Sequence, residues 1–202
     1  MKSNRSAVPK IDASAQPFLS KVTELRRRAR EHIEQGAVTP SYAADRQVVL
    51  NLLNDALATE LVCVLRYRRH YFMADGLLAE AIKKEFLAHS TEEQAHADRI
   101  AERIVQLGGE PEFDPQTLAS RSHSEYASGD TLESMIKEDL IAERVAIESY
   151  QEMITYLEGR DHTTRRLFES ILSVEEQHAE ELSSMLKNLN SLTHRQAGAR
   201  HE

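Results

Sequence analysis

Four stretches of this chain carry apolar residues at helical spacing, and each stripe is interrupted near its middle by a glutamate. In the first, from about Tyr42 to Ala74, Val49, Leu53, Ala56, Val64, Tyr67 and Tyr71 share a face with Glu60. In the second, from about Leu77 to Leu107, Ile82, Phe86, His89, Ile100, Ile104 and Leu107 share a face with Glu93 and His96. The third, from Asp130 to Gly159, sets Glu143 among Leu132, Ile136, Leu140, Ile147, Tyr150, Ile154 and Leu157. The fourth, from Asp161 onward, sets Glu175 and His178 among Leu167, Ile171, Leu182, Met185 and Leu189. Residues three, four and seven apart lie on one side of a helix. Carboxylates are almost never fully buried unless they are paired or bind a metal. Four of them at similar depth in one core therefore need a common partner.

The punctuation around the stripes fixes the topology. Gly76, then Gly108-Gly109 with Pro111, and Gly159 end the first three helices. Each helix is roughly 28 residues, or about 42 Å. Short links make the first pair and the second pair antiparallel, whereas the connection from Gly108 to Gly129 is long enough to cross the length of a bundle and has room for a short helix around Pro115 to Tyr126. Asp130, with Glu133 in capping-box position, is the expected start of the third helix, and Asp161 the cap of the fourth. The expected fold is all-α: a four-helix bundle with one long crossover between the second and third helices.

Ahead of the bundle, residues 1–16 read as a polar tail. Phe18, Val22, Leu25, Ala29 and Ile33 suggest a short amphipathic helix from Pro17 to Gln35, and Thr39-Pro40 reads as a helix start. After Asn190 no apolar periodicity remains. The expected segments are an N-terminal arm (1–40), the bundle (41–190) and a flexible polar tail (191–202).

The second and fourth helices each contain Glu-x-x-His, as EEQAHA and EEQHAE. Glu175 follows Glu93 by 82 positions, and Glu143 follows Glu60 by 83. Leu-Ala-Thr-Glu60 matches Leu-Ile-Ala-Glu143, and a tyrosine follows each seven residues later, Tyr67 and Tyr150. The chain is thus two copies of one helical pair. Packed about a pseudo-two-fold axis, they bring four glutamates and two histidines together. That donor set suits two divalent cations, iron or manganese foremost and zinc also, and four carboxylates balance their charge.

Several classes are excluded. Cys63 is the only cysteine, so no disulfide framework or Cys-rich metal site forms within one chain. There is no GxGxxG, P-loop or Gly-x-Ser-x-Gly. No apolar run approaches the roughly 20 residues of a membrane span, and no signal-peptide core is present, so a cytoplasmic location is expected. Charge is uneven: residues 1–47 hold nine Lys or Arg against five Asp or Glu, while the chain as a whole carries −8. The basic arm, with Arg26-Arg27-Arg28 and Arg30, is a possible DNA contact, but solvated helix faces or subunit contacts are favoured because the acidic body would repel DNA.

Around the central six residues, His89 is open between a shuttle ligand and a hydrogen-bonded core histidine. Glu92 and Glu176 are expected on the surface. Asp139, one turn before Glu143, is expected to support His96 or His178. Cys63 is expected as a small core residue, and Tyr150 as the counterpart of Tyr67 or plain core.

The stretches LNDALATELVCVLRYRRH, EEQAHADRI, DLIAERVAIESY and EEQHAEEL resemble bacterioferritin, within the ferritin-like superfamily, over about residues 46–189. The resemblance implies a ferroxidase: Fe(II) binds at a centre of two iron ions per subunit, is oxidised by O₂ or H₂O₂, and is stored inside a hollow homo-oligomer. Carried over by position, Glu60 and His96 would be terminal ligands of one iron, Glu143 and His178 of the other, and Glu93 and Glu175 would bridge. Tyr67 matches a tyrosine beside the site. Two features depart from the pattern. Gln94 stands where bacterioferritin has its haem-ligating methionine, so haem is not expected. The C-terminal residues do not resemble the fifth helix of twenty-four-subunit shells, and the N-terminal arm is similar to that of twelve-subunit Dps-like mini-ferritins, so a 12-mer is favoured over a 24-mer. Rival readings are a rubrerythrin-like peroxidase, a manganese catalase, or a Dps-like DNA-protecting protein.

Overall fold

The computed structural model describes residues 21–76 and 79–198, with side chains described as far as 191. Residues Met1–Pro40 and Ser41–Glu202 form two compact units. In the first, α1 (Val22–Arg28) is followed by a 3₁₀ turn at Ile33–Gln35. The expected arm helix begins outside the described residues, and its described part ends early, at Arg28. His32 adopts φ 52° where it leads into the 3₁₀ turn, and Ile33 stays exposed. None of the residues of α1 is buried, and a short helix that buries no apolar face does not propagate.

The second unit contains α2 (Arg46–Met73), α3 (Ala79–Gln106), α4 (Pro115–Arg121), α5 (Leu132–Leu157) and α6 (His162–Gly198). Among the described residues there is no strand. α2 packs along α3 and α5 along α6, while α4 lies against α2 in the crossover. This is the expected bundle with adjusted ends. α2 starts at Arg46, with Asp45 accepting from the amides of Gln47 (2.9 Å) and Val48 (3.2 Å), rather than near Pro40. α5 is capped by Thr131 with Ser134 in a capping box, one residue beyond the expected Asp130. α3 ends as expected: Gly108 adopts φ +73° and the Gly109 N–H returns to the Ile104 carbonyl (2.9 Å). α6 runs through Gly198, so the helix continues past position 191, where a flexible polar tail was expected to begin; residues 199–202 lie outside the described residues.

By length and composition α2 is long and apolar enough to cross a membrane, although no run of that kind was expected. Half of that stretch is buried inside the bundle, as in a core helix.

Two apolar layers flank the middle of the bundle. Tyr67, Ile82, Phe86, Met135, Ile136 and Leu182 belong to one. Val49, Leu53, Ile100, Ile104, Leu157 and Phe168 are buried toward the opposite ends of their helices. The crossover is tied down by polar contacts. Arg121 Nη1 donates to the Asn54 carbonyl (2.8 Å), and the His123 N–H donates to Thr59 Oγ1 (3.0 Å). Arg66, His70 and Asp139 form a fully buried triad: Arg66 Nε and His70 Nδ1 each lie 2.8 Å from a different oxygen of Asp139. Arg66 Nη1 and His70 Nε2 reach on to the carbonyls of Glu125 (3.1 Å) and Ser128 (2.9 Å).

Candidate metal centre

Glu60, Glu93, His96, Glu143, Glu175 and His178 are all at most 4% exposed and lie between the two apolar layers. One residue comes from each of α2 and α5, and a Glu-x-x-His pair from each of α3 and α6. The six divide into two overlapping groups whose ligand atoms lie within 4.8 Å of one another: Glu60, Glu93, His96 and Glu175, and Glu93, Glu143, Glu175 and His178. Glu93 and Glu175 belong to both.

Their individual oxygens show how the sharing works. His96 Nδ1 is 2.9 Å from Glu175 Oε1, 3.3 Å from Glu60 Oε2 and 3.6 Å from Glu93 Oε2. His178 Nδ1 is 3.3 Å from Glu93 Oε1 and 3.4 Å from Glu175 Oε2. Each shared glutamate thus turns one oxygen to each histidine.

These contacts lack the alignment of hydrogen bonds. Glu60 Oε2, Glu93 Oε1, His96 Nδ1, Glu143 Oε2, both Glu175 oxygens and His178 Nδ1 are buried with no hydrogen-bond partner. Buried polar atoms are nearly always satisfied. Seven that are not, all lone-pair donors converging on one region, fit a pair of cations. The fit holds on chemistry too, since carboxylate and imidazole are ligands for iron, manganese and zinc.

The remaining atoms of the two lone glutamates are held across the pseudo-two-fold axis. The Tyr67 hydroxyl, on α2, donates to Glu143 Oε1 on α5, and the Tyr150 hydroxyl, on α5, donates to Glu60 Oε1 on α2. Each tyrosine occupies one oxygen and leaves the other for a cation. Tyr150 is therefore the structural equal of Tyr67. Burial pushes both phenols well above their ordinary range, so they stay protonated donors.

Electrostatics describe the same demand for positive charge. Burial, then the charge of Glu93, pushes Glu60 up to about 8. Burial, then Glu93 and Glu175, pushes Glu143 well above the carboxylate range. Burial and Glu175 act the same way on Glu93, but close polar contacts with Glu60, His178 and His96 outweigh them and hold it below. Burial opposes charge on both imidazoles, yet the surrounding glutamates, Glu175 first, raise His96 to about 12 and His178 to about 11. Protons balance the cluster, and cations would displace them.

Two expectations about the surroundings are corrected. Glu92 is not simply surface charge. Half its side chain is exposed, but Oε2 lies 2.6 Å from His178 Nε2, so it can hold that ring with Nδ1 facing the cluster. The one sequence signal was its place beside Glu93. Asp139 supports neither His96 nor His178. It faces α2 and binds Arg66 and His70. Glu176 is exposed, as expected, and Cys63 is buried, with burial pushing its thiol up and Arg66 Nη2 3.4 Å from its sulfur. His89 is buried. Its Nδ1 is 3.2 Å from the Tyr67 hydroxyl, its Nε2 2.9 Å from Glu181 Oε2, and its ring stacks on His178 at 4.0 Å. Burial, then His178, lowers its basicity. Gln94 lies on the flank of α3 and donates to Asp98 Oδ1 (2.9 Å).

The family model for the ferritin-like domain matches residues 50–192. The chain belongs to the ferritin-like family. Within it, the bacterioferritin of Mycobacterium avium is 32% identical over 145 residues, covering 71% of this chain and 87% of the relative. A nutrient stress-induced DNA-binding protein from Nostoc sp. is 32% identical over 144 residues, covering 70% and 78%. Among solved structures, the dodecameric thioferritin of Bacteroides fragilis, described as a bacterioferritin-related protein, superposes with a TM-score of 0.73 at 29% identity, covering 76% of this chain and 92% of that one. This ferritin-like chain therefore matches its relatives across the bundle that carries the six residues.

Proposed function

We propose that the protein is a di-iron ferroxidase that oxidises Fe(II) and stores or detoxifies the product inside a hollow homo-oligomer. The observation that carries this reading is the set of seven unpartnered, buried ligand atoms on six side chains. Glu60 and His96 hold one ferrous ion, Glu143 and His178 the other, and Glu93 and Glu175 span both. Two ferrous ions give one electron each. O₂ takes two electrons and two protons to become H₂O₂, or H₂O₂ takes two and two to become two waters. The apolar layers above and below exclude bulk water. Tyr67 and Tyr150 fix the two terminal carboxylates, and Glu92 orients His178. Orientation of this kind strengthens ligation without adding a ligand. The ferritin-like relatives support a shell, and the dodecameric bacterioferritin-related neighbour favours twelve subunits over twenty-four. A cytoplasmic location is part of the same proposal. DNA is the less favoured partner, since Arg27 in the basic arm is already engaged by Glu24 and Glu31.

The test is Fe(II) oxidation under air, followed by ferric absorbance. A Glu60→Ala, Glu143→Ala double variant should lose most of the rate while keeping the oligomer. An unchanged rate would remove the site assignment.

A further inference from the structure

Outside the six central residues lies a second set of metal-ligating side chains, along the seam between α3 and α6. Glu85 and His89 are four apart on α3 and share a face. Glu181 approaches from α6. One ligand atom from each lies within 4.8 Å of the others, with Glu85 exposed, His89 buried and Glu181 between. His89 is fixed in orientation. Its Nδ1 faces the Tyr67 hydroxyl, so Nε2 is the nitrogen turned to the seam, 2.9 Å from Glu181 Oε2. The other Glu181 oxygen accepts from Gln177 Nε2 (2.8 Å), which sets the carboxylate plane. Two ligand atoms about 2.1 Å from one ion and at right angles, as in octahedral coordination, stand about 3 Å apart, so the present spacing matches adjacent ligands.

We propose that Glu85, His89 and Glu181 form a third divalent-cation site. Imidazole with two carboxylates takes Fe(II), Mn(II) or Zn(II) in preference to Mg(II) or Ca(II). The exposed Glu85 leaves the outer side of the ion open to water and to exchange with solvent. The inner side abuts the main centre through the stack of His89 on His178. The site stands on its own geometry and does not depend on what the inner pair of ions does.

Zinc counts on metal-free, full-length protein decide it, because Zn(II) is redox-inert. After loading and removal of loose metal, three ions per chain are expected in the wild type. A Glu85→Gln, Glu181→Gln variant should hold two, and both substitutions lie at partly or fully exposed positions that leave the fold intact. In zinc-loaded crystals, an anomalous peak is expected within bonding distance of His89 Nε2. A zinc count that the Glu85→Gln, Glu181→Gln substitutions leave unchanged, or the absence of an anomalous peak at His89 Nε2, would overturn the seam site. The inner centre is scored separately with Glu60→Ala, Glu143→Ala. That variant should lose centre zinc and keep the seam ion, so failure of the centre and failure of the seam give different counts.

Discussion

At the scale of single residues, the centre is built by assigning each oxygen a task. Tyr67 and Tyr150 each hold one oxygen of a terminal glutamate and leave the second unpartnered. Replacing either with phenylalanine strands a buried carboxylate oxygen. Each change should cost about 1–3 kcal/mol in metal-free protein, read as a shift in urea midpoint. No shift in either variant would mean the hydroxyls are incidental. Glu92→Gln should weaken the His178 half specifically, by about 10–100-fold in cation affinity, while the His96 half is unchanged. Equal weakening of both halves would contradict the pairing. The imidazoles also predict a proton signal. Their basicity is raised to about 12 and 11, so both are protonated near neutrality. A cation needs the Nδ1 lone pairs, so zinc loading near pH 7 should expel protons into a weakly buffered solution, and affinity should rise with pH. Loading without acidification would place the ions elsewhere.

At the scale of the helices, Asp161 shows how one residue joins elements. It caps α6 through the amides of Thr163 (3.1 Å) and Thr164 (2.9 Å), pairs with Arg103 of α3 (3.1 Å), and accepts from Tyr42 (2.8 Å). Asp161→Ala should cost roughly 3 kcal/mol, from the lost cap and the stranded Arg103. Burial opposes its charge, but the Thr164 hydroxyl and amide outweigh it and lower its basicity below the ordinary 3.8. Its contribution is therefore full above that value and lost as pH falls through the lower folded-state value. Wild type and variant should converge in stability in strong acid and diverge above about pH 5. The cap at Asp161 and the glycine stop at Gly108 were legible in the sequence because caps and left-handed glycines are local signals. The start of α2 at Arg46 and the extent of α6 were not, since neither turns on an apolar stripe. The four buried glutamates were legible because they break a periodicity. The partner of Asp139 was not: a position one turn from Glu143 leaves open whether a side chain faces α2 or the centre, and only packing against Arg66 and His70 decides it. Glu92 was missed for the opposite reason. It sits off the buried face, yet a side chain of its length reaches back to His178.

At the scale of the molecule, the bundle is a frame that holds two helical pairs in mirror roles. The proposed storage role requires a shell, so light scattering should return a large closed oligomer, about twelve chains, and a monomer or dimer would end the storage reading while leaving a small di-metal enzyme. One subunit is proposed to present one centre for two ions. Anomalous scattering from crystals loaded anaerobically with Fe(II) tests it most directly. Two iron peaks about 3.5–4 Å apart are expected, both within reach of Glu93 and Glu175, with His96 on one and His178 on the other. A single peak, or none among these six side chains, would contradict it.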